Sequence, residues 1–215
     1  MLLDDGDEFL ALAALQLEDQ IAVPLGVGAG TVVENHTRTT VMCNAGFLAD
    51  GYVRLGGRVF QKSKKPRPQP FAAAGFVFAY AVLLEEVPFD PHLDYLFDGE
   101  EILYSARMWT HGYNIYSPSV SVLFHYYYRA KAKKFWSVGG PQRHVRLAAA
   151  TKRVNLLMET VHKDTDRRIV ASDYNETAVV VDLAKYGMGS ERPLSGWYDY
   201  AGVDKSKHTV RNKFC

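Results

Sequence analysis

Residues 98–101, Asp-Gly-Glu-Glu, gather three carboxylates on four positions, directly ahead of apolar residues at Ile102, Leu103, Ala106 and Trp109. That spacing is helical, so Glu100 and Glu101 fall in the first turn of an amphipathic helix. Two roles fit them. Anionic side chains complement the positive end of the helix macrodipole, a structural effect worth about 0.3–1 kcal/mol each. Paired carboxylates also orient hydroxyl groups or exchange protons with them. The helix is expected to close at Trp109-Thr110-His111-Gly112-Tyr113, with Gly112 as its cap. Trp109 and His111 fit a sugar or acceptor platform there, and a capping His111 fits the sequence equally well. A second His stands in an aromatic, β-branched run: His125 within Ser-Val-Leu-Phe-His-Tyr-Tyr-Tyr-Arg, residues 121–129. Composition makes this a strand, and its His is either a packed core side chain or a metal ligand. Arg129, Lys131, Lys133, Lys134 and Trp136 follow. They form a solvated basic loop, or a lid that neutralises a leaving diphosphate and excludes water. Near the start, Asp5-Gly6-Asp7 forms Asp-x-Asp, two carboxylates able to reach a divalent cation bridging phosphates. The plainer reading of residues 1–20 is a helix with an acidic start, its apolar residues spaced helically from Leu10 to Leu17.

The elements that must position these groups are partly legible. Residues 71–84 form the longest uncharged run, too short for an ordinary membrane span and expected to be buried strand and helix. Within it Ala72-Ala73-Ala74-Gly75 carries almost no side-chain bulk, which suits close approach by a sugar or by another backbone. Val87-Pro88-Phe89-Asp90-Pro91 is a turn, its prolines ending any helix before it. Earlier, residues 21–40 are apolar, β-branched and Gly-rich, a short strand and then a loop. Gly26, Gly28 and Gly30 lack the spacing and the Gly-Lys-Ser/Thr ending of a phosphate loop. Gly56-Gly57 is expected to turn a hairpin between residues 52–55 and 58–61. Residues 62–70, basic and Pro-rich, read as a solvated connector. Downstream, residues 146–162 read as a helix with Leu147, Val154, Leu157, Met158 and Val161 on its apolar face. Residues 163–176 are charged and expected to be an exposed loop, and residues 185–215, Gly-rich and aromatic, to wrap the surface.

Composition narrows the function. The 215 residues suffice for one domain with a good core, or one domain and a lobe. A net charge of +1 speaks against nucleic acid or a membrane surface as partner. Two cysteines, Cys43 and Cys215, are too few for a disulfide framework, and pairing them requires an ordered tail. Asn35-His36-Thr37 and Asn175-Glu176-Thr177 fit the glycosylation sequon, which matters only in a secreted chain. The acidic first residues have no signal-peptide pattern, so the expected location is cytoplasmic.

Five motifs in one order carry a resemblance. Ala-Ala-Gly-Phe-x-Phe, Val-Pro-Phe-Asp-Pro, Phe-x-Gly-Glu-Glu, Ala-Arg-x-Trp-Thr-His-Gly-Tyr and His-Tyr-Tyr-Tyr-Arg all lie within residues 71–129. Lys185-Tyr186-Gly187-Met188-Gly189 and Tyr200-Ala201-Gly202-Val203-Asp204 continue it. Together they resemble the N-acetylglucosaminyltransferases that modify hydroxyproline on the adaptor subunit of SCF ubiquitin ligases. A more distant similarity is to polypeptide N-acetylgalactosaminyltransferases. The resemblance implies an α/β fold of GT-A type, a mixed sheet with flanking helices. It implies UDP-N-acetylglucosamine as donor, a protein hydroxyl as acceptor, Mn²⁺ as cofactor and retention of anomeric configuration. It casts Glu100 and Glu101 as the catalytic pair facing sugar and acceptor. It makes His125 a metal ligand beside Asp5 and Asp7, and brings Gly75, Asp98, Trp109, His111, Arg129, Lys133, Lys134 and Trp136 to donor or acceptor. Against that family, residues 1–40 read as the remnant or divergent end of the nucleotide-binding part. Residues 41–138 then read as part of the catalytic core and 139–215 as a C-terminal helix and extension. A nucleotide-binding half that reads as incomplete leaves an alternative, a catalytically inactive fragment or an acceptor-binding pseudoenzyme lacking the donor-binding half.

Overall fold

The computed structural model describes residues 10–11, 37–48, 51–73, 76–121, 139–140, 142–160 and 176–215. It is a mixed α/β arrangement with small sheets. Strand β1 (Leu10–Ala11) pairs in parallel with β5 (Ile115–Ser117), which pairs antiparallel with β4 (Arg67–Pro68). Strands β2 (Arg38–Phe47) and β3 (Val53–Gln61) form an antiparallel pair, and β6 (Val203–Asp204) with β7 (Thr209–Val210) a second. The helices are α1 (Val82–Glu86), α2 (Glu100–Thr110), α3 (Arg143–Leu157), α4 (Glu176–Val180), α5 (Leu183–Tyr186) and α6 (Leu194–Ala201). Among the described residues no helix is long and apolar enough to cross a membrane.

Several local expectations are corrected. Gly56 and Gly57 do not turn the hairpin; both lie inside β3, opposite Asn44 and Met42. Their job is clearance. A Cβ on Gly57 would stand 2.3 Å from the Thr40 side chain. Between the two strands Gly51 takes a φ of 90° and donates to the Leu48 carbonyl at 2.9 Å, and the Leu48 N–H donates to the Tyr52 carbonyl at 2.7 Å. Leu10 and Ala11 are strand rather than helix, because β5 offers them a partner that their apolar spacing cannot reveal. Residues 62–70 are no free connector, since Arg67 and Pro68 form β4 and Gln69 is fully buried. Residues 71–84 are not one buried strand and helix. Phe71, Ala72, Ala73 and Leu83 are buried, but Phe78 is 63% exposed and Tyr80 and Leu84 are exposed as well. Helix α3 starts earlier than expected and stops at Leu157, where Glu159 turns left-handed at φ 50°.

The core explains the order of the chain. One cluster joins Met42, Phe71, Ile102, Leu103 and Ala106 to Val154, Trp197, Ala201 and Val203. Helix α2 lies at its centre, buried on nearly every side rather than amphipathic. Residues 185–215 therefore do more than wrap the surface: Trp197 is 1% exposed and belongs to this core. A bulge between Met42 and Asn44 breaks the β2–β3 register at Cys43. It frees the Met42 N–H to donate to Gln69 Oε1 at 2.9 Å, and Gln69 Nε2 donates to the Phe71 carbonyl at 2.9 Å. That fully buried glutamine fixes the start of the small-residue segment against the sheet.

The tail is ordered, so the two cysteines do pair. Cys43 and Cys215 form a disulfide with Cα atoms 5.3 Å apart across a separation of 172 residues. Asn212 Oδ1 accepts from the Ala45 N–H beside it, and Phe214 packs on Tyr200. Closing so long a loop removes much freedom from the unfolded chain. Cys43→Ser is expected to lower the unfolding free energy by about 2–5 kcal/mol, read as a lower urea midpoint in non-reducing buffer.

Candidate functional site

The site is built on the first turn of α2. Gly99 precedes it at φ 110°, and a Cβ there would stand 3.2 Å from the Tyr52 ring, so the sharp entry requires glycine. Asp98 is held by β3, where Arg54 donates to its two carboxylate oxygens at 3.0 and 2.8 Å. Ser105, one turn into the helix, links two motifs. Its hydroxyl donates to the Glu101 carbonyl at 2.7 Å and accepts the Ala72 N–H at 2.8 Å. Residues 71–73, all buried, are thereby tied to the helix that carries the glutamates.

Glu100 and Glu101 are half-buried. Burial, with the Glu101 and Asp98 carboxylates beside it, raises the Glu100 pKa from 4.5 to about 7. The helix macrodipole acts in the opposite sense, and burial with like charge prevails. The folded protein thus holds a proton on Glu100 that the unfolded chain releases between pH 4.5 and about 7. Stability from this group is present in full below 4.5 and is lost as pH rises through the folded value. Glu100→Gln is expected to flatten that loss, checked by urea midpoints of both proteins at pH 5 and pH 8.

The other end of α2 is different. Trp109 stacks on Tyr200 at 4.7 Å, lies under the Arg192 guanidinium at 4.7 Å and donates from Nε1 to the Pro193 carbonyl at 3.3 Å. His111 caps the helix, its Nδ1 2.7 Å from the Arg107 carbonyl, and Gly112 follows at φ 91°. At about 1.5 Å of rise per residue, Trp109 and His111 stand about 14–16 Å along the helix from Glu100. The structure does not bring them to the same atoms as the glutamates. A cleft of about 570 Å³ opens at this far end, lined by Thr110, Leu157, Glu159, Met188, Arg192 and Leu194 among others. Neither Glu100 nor Glu101 lines it.

The remaining motifs form the frame. Arg107, buried, donates to the carbonyls of Pro88 at 2.6 Å, Gly187 at 3.1 Å and Lys185 at 3.5 Å. It joins the Val-Pro-Phe-Asp-Pro turn to the Lys-Tyr-Gly-Met-Gly loop through α2. Gly189 lies so close to α2 that a Cβ would meet the Thr110 carbonyl oxygen at 2.5 Å. Asp90 pairs with Arg153 of α3 at 2.6 Å, both side chains almost fully buried. Sequence reasoning passed over Arg54, Ser105 and Arg153 as partners. Their only signal is a charged or hydroxyl side chain at a buried or paired position, which the sequence does not display.

Gly75, His125, Arg129, Lys131, Lys133, Lys134, Trp136, Asp5 and Asp7 lie outside the described residues. Among the described residues, no group of three His, Cys, Asp or Glu side chains could hold a metal ion. The acidic step is no exception, because Asp98 is engaged by Arg54.

A half-buried carboxyl raised toward neutrality by burial and neighbouring carboxylates marks the first turn of α2 as a candidate for proton exchange with hydroxyl groups. The family model of the GlcNAc glycosyltransferases matches residues 26–207, most of the chain, and the chain belongs to that family. That family is one of transferases, and its reaction takes a sugar donor. No curated protein and no solved structure matches it.

Proposed function

We propose that the chain moves N-acetylglucosamine from UDP-N-acetylglucosamine to a hydroxyl of a protein, with hydroxyproline the acceptor the motif pattern favours. The observation that carries this reading is Glu100, raised to about 7 at the start of α2, in a chain of the GlcNAc glycosyltransferase family. In this reading the acceptor oxygen bonds to the sugar C1, the bond from C1 to the diphosphate oxygen breaks, and UDP leaves with that electron pair. Glu100 takes the hydroxyl proton, and it does so readily at neutral pH because its own pKa lies there. Glu101 orients the sugar by accepting hydrogen bonds from its hydroxyls. Asp98, held by Arg54, keeps its charge beside Glu100 and helps to raise the Glu100 pKa. Ala72 and Ala73 are buried, and Ala72 is bonded to Ser105 of α2, so they brace the helix that carries the glutamates.

A GT-A arrangement and a divalent cation belong to the same proposal. Asp5, Asp7 and His125 are the proposed ligands, a set of carboxylates and imidazole acceptable to Mn²⁺. Such a cation supplies charge neutralisation of the departing diphosphate. The described residues offer no alternative set. Arg129, Lys131, Lys133 and Lys134, with Trp136, are proposed to meet the same diphosphate.

Calorimetric titration of UDP-N-acetylglucosamine, with and without Mn²⁺ and repeated on His125→Ala, tests the donor site. Binding that needs Mn²⁺ and disappears in His125→Ala supports it. Absence of binding under every condition overturns the donor site and leaves an acceptor-binding protein.

A further inference from the structure

The sequence holds two cysteines, and the fold spends both on one bond. Three features show that the pairing is built in rather than incidental. First, the β2 bulge falls at Cys43, taking it out of the ladder between Met42 and Asn44. Second, the tail that brings Cys215 is independently fastened. Asn212 accepts from Ala45, Arg211 donates to the Gly202 carbonyl, and His208 stacks on Phe47 at 4.9 Å. Third, the Cα separation of 5.3 Å lies within the range a disulfide spans without backbone movement. Cys43 is buried and Cys215 is exposed. Standing structural disulfides persist in oxidising compartments and are rare in a reducing cytosol.

We infer that Cys43–Cys215 is a standing structural disulfide, and that the protein matures and acts in an oxidising compartment rather than in the cytoplasm. Closing the bond removes two electrons and two protons from the two thiols. A protein disulfide of that compartment's thiol-oxidising machinery accepts them and leaves as a dithiol. The acceptor class follows, and this part rests on the transfer reaction proposed above. The polypeptide that receives the sugar is an exported or lumenal one, presenting its hydroxyl in the same compartment.

The test has two arms. Cells making the native full-length protein are quenched with a membrane-permeant alkylating agent, and the protein is digested without reduction. The expected result is a Cys43–Cys215 linked peptide in at least tenfold excess over the alkylated peptides, converting to two free thiols on reduction. Alkylated Cys43 and Cys215 as the main species would overturn the inference. In the second arm, the purified chain is given labelled UDP-N-acetylglucosamine and separate cytosolic and exported-protein extracts. Label on exported polypeptides is expected, and label confined to cytosolic ones contradicts the inference. Label in neither extract sinks the transfer reaction itself, while the thiol arm still decides the compartment.

Discussion

Glu100→Gln is expected to lower the rate of sugar transfer by on the order of 10²–10⁴-fold at neutral pH, the range spanned by loss of a positioned acid or base. The substitution keeps the shape of the side chain and removes only its ability to take a proton. Donor affinity is expected to change little, because the glutamate acts on the acceptor in this account. The structure supplies a control against simple unfolding. Glu100 sits half-buried among the carboxylates of Glu101 and Asp98, so a neutral amide relieves repulsion above pH 7. The variant is therefore expected to be at least as stable as the parent at pH 8 while transferring far less, the usual opposition of stability and function at an active site. Loss of both together would point to a structural glutamate. Comparison of initial rates and urea midpoints on the same preparations checks this.

The second large effect concerns the frame. Asp90 and Arg153 are 1% and 0% exposed at their side chains, with Nε and carboxylate 2.6 Å apart. Arg153 also donates to the carbonyls of Val179 and Val181 at 2.9 and 2.7 Å. Asp90→Asn leaves a buried guanidinium without its counter-charge, and the buried Arg107 nearby adds a second positive charge. Breaking a buried pair from one side costs about 3–5 kcal/mol, and that loss is expected here. Asp90→Asn with Arg153→Met is expected to cost less than the sum of the two single changes, since neither charge is then left alone. Chemical denaturation of the three variants measures the coupling.

These two predictions show what was legible beforehand. The first turn of α2 was readable because local chemistry determines it: a glycine entry, two acids and helical apolar spacing need no distant partner. The closing His111 and Gly112 were readable for the same reason. What stayed hidden depends on partners far along the chain. Asp90 finds Arg153 across 63 residues, and Ala72 finds Ser105 across 33. Gly56 and Gly57 resemble a turn in one dimension but serve as clearance for Asn44, Thr40 and Met42 on the neighbouring strand. By sequence, Trp109 beside His111 fits a sugar or acceptor platform and a capping His111 equally well. In the fold Tyr200 and Arg192 have claimed that ring. Pairing of Cys43 with Cys215 requires an ordered tail, which local sequence does not display, and Asn212 and Phe214 supply the order.

The most direct measurement of the central claim is release of UDP from UDP-N-acetylglucosamine in the presence of Mn²⁺ and a peptide containing 4-hydroxyproline. The account predicts UDP release that requires the peptide's hydroxyl, with N-acetylglucosamine recovered on the peptide, and its near-complete loss in Glu100→Gln. Release that is equal in parent and Glu100→Gln would contradict the role given to the first turn of α2.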